Sequence, residues 1–451
     1  NDGGILYYSD GKGNRLNLSE VYDEPVNGNN ISLTIDINIQ EAVEKELDNV
    51  VTKYNPDSTL ALVMDPNSGE VLAMSSRPNF DSNNYKNYNL ETISRNLPIW
   101  MTYEPGSTFK IITLSSAINE GKVNLFDDHY YDGGSIQVEN ARIKCWKRGG
   151  HGSETFLNVV ENSCNPGFVV LGQRLGTETL YSYLEKFGFG KKTGIDLNGE
   201  ASGIMFKLSK MGPVETATTA FGQGISVTPI QQVTGVSAAI NGGTLYKPYI
   251  VKSISEPETN NVIVLNKKQV VRENIVTEET SKLVRFALES VVQNGTGKNA
   301  YIENYRVGGK TGTAQKVKDG KYMVGNYIVS FIGFLPADNP KYVVYVAVDN
   351  PKGITQYGGT VAAPIAKNIM LSIIDSQNIP KVETDRAREY TWLDTKYIKL
   401  PDVTGNDLDT AKKSLKGFKI EYSGSGEKVI SQMPEGNTFV KENSIVKILL
   451  D

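Results

Sequence analysis

The stretch LALVMDPNSGEVLAM, residues 60–74, sets two apolar runs either side of Pro66-Asn67-Ser68-Gly69. Turn-forming residues between apolar runs predict a β-hairpin. Its natural companions lie at the far end of the chain. GKTGTAQKV (309–317), YIVSFIGFLP (327–336) and KYVVYVAVD (341–349) are short, β-branched and apolar, as strands are. Between the two groups the apolar period changes to that of helices, at 106–122, 156–175, 177–187, 228–240 and 277–293. APIAKNIMLSIID (363–375) reads as one helix more. Strands at both ends with helices between predict an α+β domain whose antiparallel sheet joins early and late segments.

Outward from that core the chain divides. Residues 1–30 are rich in Gly, Asn and Asp, and ISLTID (31–36) alternates as a strand. Asp36 can cap a helix with the apolar stripe Ile39, Val43, Leu47, Val50, Tyr54. Residues 75–104 read as polar loop. The expected organisation is a lead-in over 1–35, a main domain over 36–376, a charged linker over 377–399, and a small strand-rich unit with one helix over 400–451.

Composition narrows the function classes. A net charge of -4 lacks the basic footprint of nucleic-acid binding. Two cysteines are too few for a disulfide scaffold. No run of about 18 apolar residues is present, so the stretch given contains no membrane span. The polar opening at Asn1, without an initiator Met, reads as a cut edge, and an N-terminal anchor upstream is an open expectation.

The chemistry rests on three motifs in order. Ser107-Thr108-Phe109-Lys110 opens a helix, and positions three apart share a face, so hydroxyl and amine can meet. The helix start adds free N–H groups and a positive dipole end. Ser163-Cys164-Asn165 follows, then Lys310-Thr311-Gly312-Thr313 before a strand. A serine needs a base to become a nucleophile, and a lysine is a base only when burial or a second cation lowers its pKa. Lys110 is read as that base and Lys310 as the standing cation. Ser163 can relay a proton, and Asn165 can hold a substrate amide. Lys310, Thr311 and Thr313 can bind a carboxylate, and Gly312 lets a substrate backbone lie close. The Ser107 N–H and a strand N–H near Thr313 would form an oxyanion hole.

S-x-x-K, S-x-N and K-T-G in this order are the serine acyl-transferase signature of penicillin-binding proteins and β-lactamases. With YEPGSTFK, SCNPGF, TTAFGQGISVTPIQ and GGKTGTAQ, residues 36–376 resemble the class B penicillin-binding proteins. The tail from 400 resembles a PASTA module. That resemblance implies the penicillin-binding transpeptidase fold and a DD-transpeptidase that cross-links peptidoglycan stem peptides through an acyl-Ser107. It implies acylation by β-lactams, residues 1–35 as the remnant of a pedestal domain, and an N-terminal anchor on the extracytoplasmic membrane face. A glycosyltransferase partner is implied too. Within the family, CWKRGGHGS (145–153) is similar to spore-cortex members, which implies that role and the forespore outer membrane. Vegetative septal or elongation synthesis, a β-lactamase, and a non-catalytic wall-binding protein stand as alternatives.

One group is left over. Cys145, His151 and Cys164 fall within 20 residues of each other. Two thiolates and an imidazole supply three ligands of a structural zinc site, which takes four. Asp132 is the first candidate for the fourth, with Asp128 and His129 behind it. If Ser163 and Asn165 face a cleft, Cys164 points the other way, into the wall. A Cys145–Cys164 disulfide and two unrelated buried thiols are the other readings.

Overall fold

A computed structural model describes residues 2–18, 20–318, 320–382, 397–441 and 444–451. Helix α1 (Ile37–Tyr54) is capped as read: the Asp36 carboxylate accepts from Asn38 N and Ile39 N at 2.9 and 3.2 Å. Its stripe of Ile39, Val43, Leu47, Val50 and Tyr54 is buried. The hairpin at 60–74 forms from β1 (Ser58–Met64) and β2 (Val71–Arg77). Helices α2 (Lys110–Asn119), α3 (Phe156–Glu161), α4 (Asn165–Leu175), α5 (Pro229–Ile240) and α6 (Glu278–Gln293) follow. The chain then returns to β3 (Gly308–Lys318), β4 (Lys321–Leu335) and β5 (Tyr342–Asp349), and closes with α7 (Ala362–Ser376).

The five strands make one sheet in the order β3-β4-β5-β1-β2, every pair antiparallel. Early and late segments meet at β5–β1, as the periodicity requires. Alternation along β5 sorts the side chains: Val344, Val346 and Val348 join the layer of α1 and α7, while Val343, Tyr345 and Ala347 face the helical layer. Within that layer α2 is buried from Lys110 through Ile118. A reactive lysine at its first position therefore starts among buried side chains. Strand β3 has β4 on one side and, among the described residues, no strand on the other, so that edge lies beside the start of α2.

Three local readings change. The stretch 156–175 is two helices, because Ser163 takes φ +53 and Cys164 is extended. Residues 75–104 hold short helical turns at Ser82–Asn87, Leu90–Ser94 and Leu97–Trp100. The expected linker is shorter than 377–399. Gln377 donates to Asp36 Oδ2 at 2.9 Å and Val382 N to Asn304 O at 2.9 Å, which ties 377–382 to the first unit. Tyr397–Lys399 is a strand paired with Phe439–Lys441 in the second. Residues 383–396 lie outside the described residues.

In the lead-in, Asn30–Leu33 pairs with Val251–Ser255, itself paired with Val262–Leu265. The C-terminal unit has its own core of Leu400, Val403, Ala411, Leu415, Val429, Val446, Ile448 and Leu450 under the helix Leu408–Ser414. Among the described residues no helix is long and apolar enough to cross a membrane.

Candidate active site

Glu104-Pro105 leads into a single 3-10 turn, Gly106–Phe109, on which α2 builds. Ser107 is partly exposed and Lys110 is buried at 1%. Gly106 is at φ +55, where a side chain is strained. Its N–H donates to Gly222 O at 3.0 Å, and a Cβ there would stand 3.3 Å from Thr313 O and Ala314 Cβ. The serine's backbone is thus held between the Gly222 loop and β3.

Lys110 Nζ brings the first two motifs together. It donates to Asn165 Oδ1 at 2.7 Å and Ser163 O at 2.8 Å, and lies 3.2 Å from Ser163 Oγ. The two tight acceptors consume two N–H bonds, all that a neutral amine has. Its lone pair is then left for the hydroxyls. Asn165 spends its carbonyl on the lysine and keeps its amide N–H groups for a ligand. Burial outweighs the pull of Cys164 and Cys145 and lowers the Lys110 pKa to about 7.

That value carries a prediction for proton transfer. The amine is the base, and it is the major form only above about pH 7. Acylation should therefore fall by roughly tenfold per pH unit below that point. A rate that stays flat from pH 7 to 5, with the fold intact, would remove Lys110 from the role.

Lys310 is buried, 1% exposed, and among the described residues its Nζ bonds only Thr311 O, at 3.3 Å. Burial, then the nearness of Lys110, pushes its pKa well below the usual lysine range. One long backbone acceptor gives a buried ammonium little support, so a bound carboxylate would favour the cationic Lys310 that the motif implies.

Gly312 also has a packing role. A Cβ there would stand 2.3 Å from Ser330 Oγ, 3.0 Å from Thr108 Cγ2 and 3.2 Å from Pro105 O. The missing side chain makes room for Ser330 on β4 and for the nucleophile segment. Gly312→Ala should cost about 1–3 kcal/mol and slow acylation, because the methyl pushes the turn off β3. Thermal melting and penicillin acylation measured on the one variant check both. The flanking threonines are oriented: Thr311 Oγ1 bonds Thr296 Oγ1 at 3.0 Å, and Thr313 Oγ1 accepts from Gly358 N at 3.2 Å.

Behind the Ser163 loop lies a second cluster. Cys164 caps α4 and is fully buried, pointing into the wall as expected, though the left-handed Ser163 turns it there. Potential ligand atoms of Asp132, Cys145, His151 and Cys164 lie within 4.8 Å of one another. His151 Nδ1 is 2.8 Å from Asp132 Oδ2 and 3.4 Å from Cys145 Sγ, and Cys164 Sγ is 3.3 Å from Asp132 Oδ2. Two thiols, an imidazole and a carboxylate are a donor set that zinc takes, and their spacings, from 2.8 Å to within 4.8 Å, bracket the roughly 3.3–3.8 Å between ligands of a tetrahedral ion.

Both thiols are free. A hydrogen bond between them is the chief reason that Cys145 is shifted down and Cys164 up. Burial raises the Asp132 carboxyl, but hydrogen bonds led by Cys145 outweigh it and bring it to about 2. Asp128 pairs with Arg174 at 2.7 Å, and the exposed His129 bonds Asp127 O at 2.9 Å, so neither belongs to the cluster.

Sequence reasoning assigned no part to two residues here. Trp146 donates its indole N–H to Asn162 O at 2.8 Å, beside the Ser163 turn. Glu104 takes hydrogen bonds from Gly224 N and Tyr322 Oη. The motif YEPGSTFK contained Glu104, but nothing in the spacing said what it faces.

Comparison with known proteins agrees with this geometry. The penicillin binding protein transpeptidase domain matches residues 59–371, and the PASTA domain matches 398–451. Stage V sporulation protein D of Bacillus subtilis is 54% identical over 99% of this chain and 69% of its own length. Peptidoglycan D,D-transpeptidase FtsI of Escherichia coli is 32% identical over 78% of this chain and 57% of its own. A crystal structure of penicillin binding protein 3 from Mycobacterium tuberculosis complexed with ampicillin superposes with a TM-score of 0.75 at 30% identity, covering 81% of this chain and 83% of that one.

Proposed function

Because this chain belongs to the penicillin-binding transpeptidases, with a PASTA domain behind the catalytic one, we propose that it cross-links peptidoglycan stem peptides as a DD-transpeptidase. The carrying observation is the buried Lys110 amine, which reaches Ser163 and Asn165 from the turn that presents Ser107.

The reaction follows from the groups in place. Lys110, neutral, takes the Ser107 proton as Oγ bonds to the penultimate D-Ala carbonyl carbon. The oxyanion is met by backbone N–H groups at Ser107 and on β3 near Thr313. Ser163 passes the proton to the leaving nitrogen, the C–N bond breaks, and D-Ala departs. A stem-peptide amine then attacks the acyl-Ser107, and the proton path runs in reverse. The terminal D-Ala carboxylate would lie by Lys310, Thr311 and Thr313, a counter-charge that favours the Lys310 ammonium. A β-lactam would follow the first half-reaction and stop at the acyl-enzyme.

The wider setting is inferred from likeness. The named sporulation relative supports a role in spore-cortex synthesis. An N-terminal anchor outside this chain, the extracytoplasmic face of the forespore outer membrane, and a glycosyltransferase partner complete the reading. Asp132, Cys145, His151 and Cys164 would hold a structural zinc ion, which supplies no step of the acyl transfer and ties the Ser163 loop to the wall.

A chromogenic β-lactam tests the central claim. One equivalent should react in a burst and then stall. Sustained fast turnover would instead identify a β-lactamase, and no reaction would leave a wall-binding protein.

A further inference from the structure

Behind the two threonines that would meet a substrate carboxylate, one residue outside the three motifs touches three walls of the cleft. Thr296 lies just past the end of α6. Its N–H donates to Glu161 O at 3.0 Å, two residues before Ser163. Its hydroxyl lies 3.0 Å from Thr311 Oγ1 on β3. Its carbonyl lies so close to the loop after β5 that a Cβ on Gly359 would stand 2.6 Å from the oxygen. Asn299 fastens that loop from the same side, donating through Nδ2 to Gly359 O at 2.7 Å. The loop in turn holds the other threonine, since Gly358 N donates to Thr313 Oγ1 at 3.2 Å.

These backbone contacts fix where Thr296 sits and leave its hydroxyl hydrogen free to turn. A hydroxyl has one proton and two lone pairs, so either member of the Thr296–Thr311 pair can donate to the other. A carboxylate only accepts. A Thr311 that binds one must spend its single proton on it, and keeps its bond to Thr296 only if Thr296 is the donor. The two hydroxyls then run head to tail towards the anion, and each bond in such a chain polarises the next. Thr313 needs no such help: it accepts from a backbone N–H, and its own proton is left for a ligand.

Resting on the transpeptidase reading, we propose that Thr296 is a positioning residue for the terminal carboxylate of the acyl donor. It donates to Thr311 Oγ1, turns the Thr311 proton towards the carboxylate, and so strengthens the preference for donors that end in one. It touches no reacting atom and works through Thr311. The effect is confined to the anion: a donor without a carboxylate gains nothing from the chain, so its acylation should not depend on the Thr296 hydroxyl.

Benzylpenicillin and its methyl ester test this, because they share ring and side chain and differ at the carboxylate. Second-order acylation rates are read by intact mass, and the ratio of acid to ester is followed. The acid should react about tenfold faster or more with the unaltered protein. Thr296→Val keeps the shape and the backbone contacts and removes the hydroxyl. Its ratio should fall about fivefold, the worth of one hydrogen bond, with the ester's rate little changed. Thr296→Ser restores the donor and should keep the ratio. On a Thr311→Val background, adding Thr296→Val should leave the ratio where it is, since the chain is already broken. An unaltered ratio near one, a ratio unmoved in Thr296→Val (both rates falling together included), or an equal fall in Thr296→Ser overturns the proposal. If Thr296→Val does not fold, Thr296→Ala is read in its place. Absence of any adduct at Ser107 from either compound would instead sink the transpeptidase reading on which this rests.

Discussion

Ser107→Ala is expected to eliminate the covalent penicillin adduct while the protein keeps its fold. Ser107 sits partly exposed on the 3-10 turn, and among the described residues no hydrogen bond of its side chain holds that turn together; Gly106 and Lys110 do so through the backbone. Alanine fits that position without a clash or an orphaned partner. Chemically the change removes the oxygen that forms the acyl bond in this scheme, and losses for such a nucleophile are on the order of 10⁵-fold or more. The measurement is intact mass after incubation with penicillin, beside a melting curve. Ser163 is the informative rival, since its Oγ lies 3.2 Å from the same lysine. A residual adduct mapped to Ser163 would reassign the nucleophile, and a normal adduct yield with no change of site would end the scheme.

The sheet was readable because its strands carry period-two alternation and β-branched runs, and because turn chemistry between β1 and β2 is local. The motif residues were readable for a different reason: their types are dictated by chemistry and not by context. What the sequence hid is non-local. The break at Ser163 looks helical from either side. Only the demand that Ser163, Asn165 and Cys164 serve two different sites forces φ +53 there. Gly312 looked like room for substrate, but the atoms filling its missing side chain come from residues 105, 108 and 330. The state of Lys310 depends on how many acceptors reach it after folding, which no spacing states. Glu104 stood in plain view in the nucleophile motif, yet the pocket it lines is assembled from 101–104, 204–206, 224–226 and 314–328.

Loss of Cys164 is expected to have the second large effect, and it should strike stability and chemistry together. Cys164 lies between Ser163 and Asn165, which hold Lys110, while its own sulfur reaches Asp132 behind them. A metal bound through Asp132, Cys145, His151 and Cys164 would fasten the one loop that sets the lysine's partners. Binding to the folded state alone, at a few hundred times its dissociation constant, adds about 3–4 kcal/mol. At roughly 2 °C or more per kcal/mol for a domain of this size, Cys164→Ser should lower the melting temperature by about 5–10 °C. Serine keeps the volume and can still cap α4, so the cavity and capping costs are small. The fall should therefore be reproduced by chelating the unaltered protein, and the variant should show little further response to chelator. Acylation should drop in parallel, because a loosened Ser163 turn no longer presents its carbonyl and hydroxyl to Lys110. One zinc per chain by elemental analysis of protein prepared without chelator is the expected content. Absence of zinc, or an intact mass short by the two hydrogens of a Cys145–Cys164 disulfide, would refute the metal. Equal chelator sensitivity in Cys164→Ser and the unaltered protein would show that any zinc present is held elsewhere.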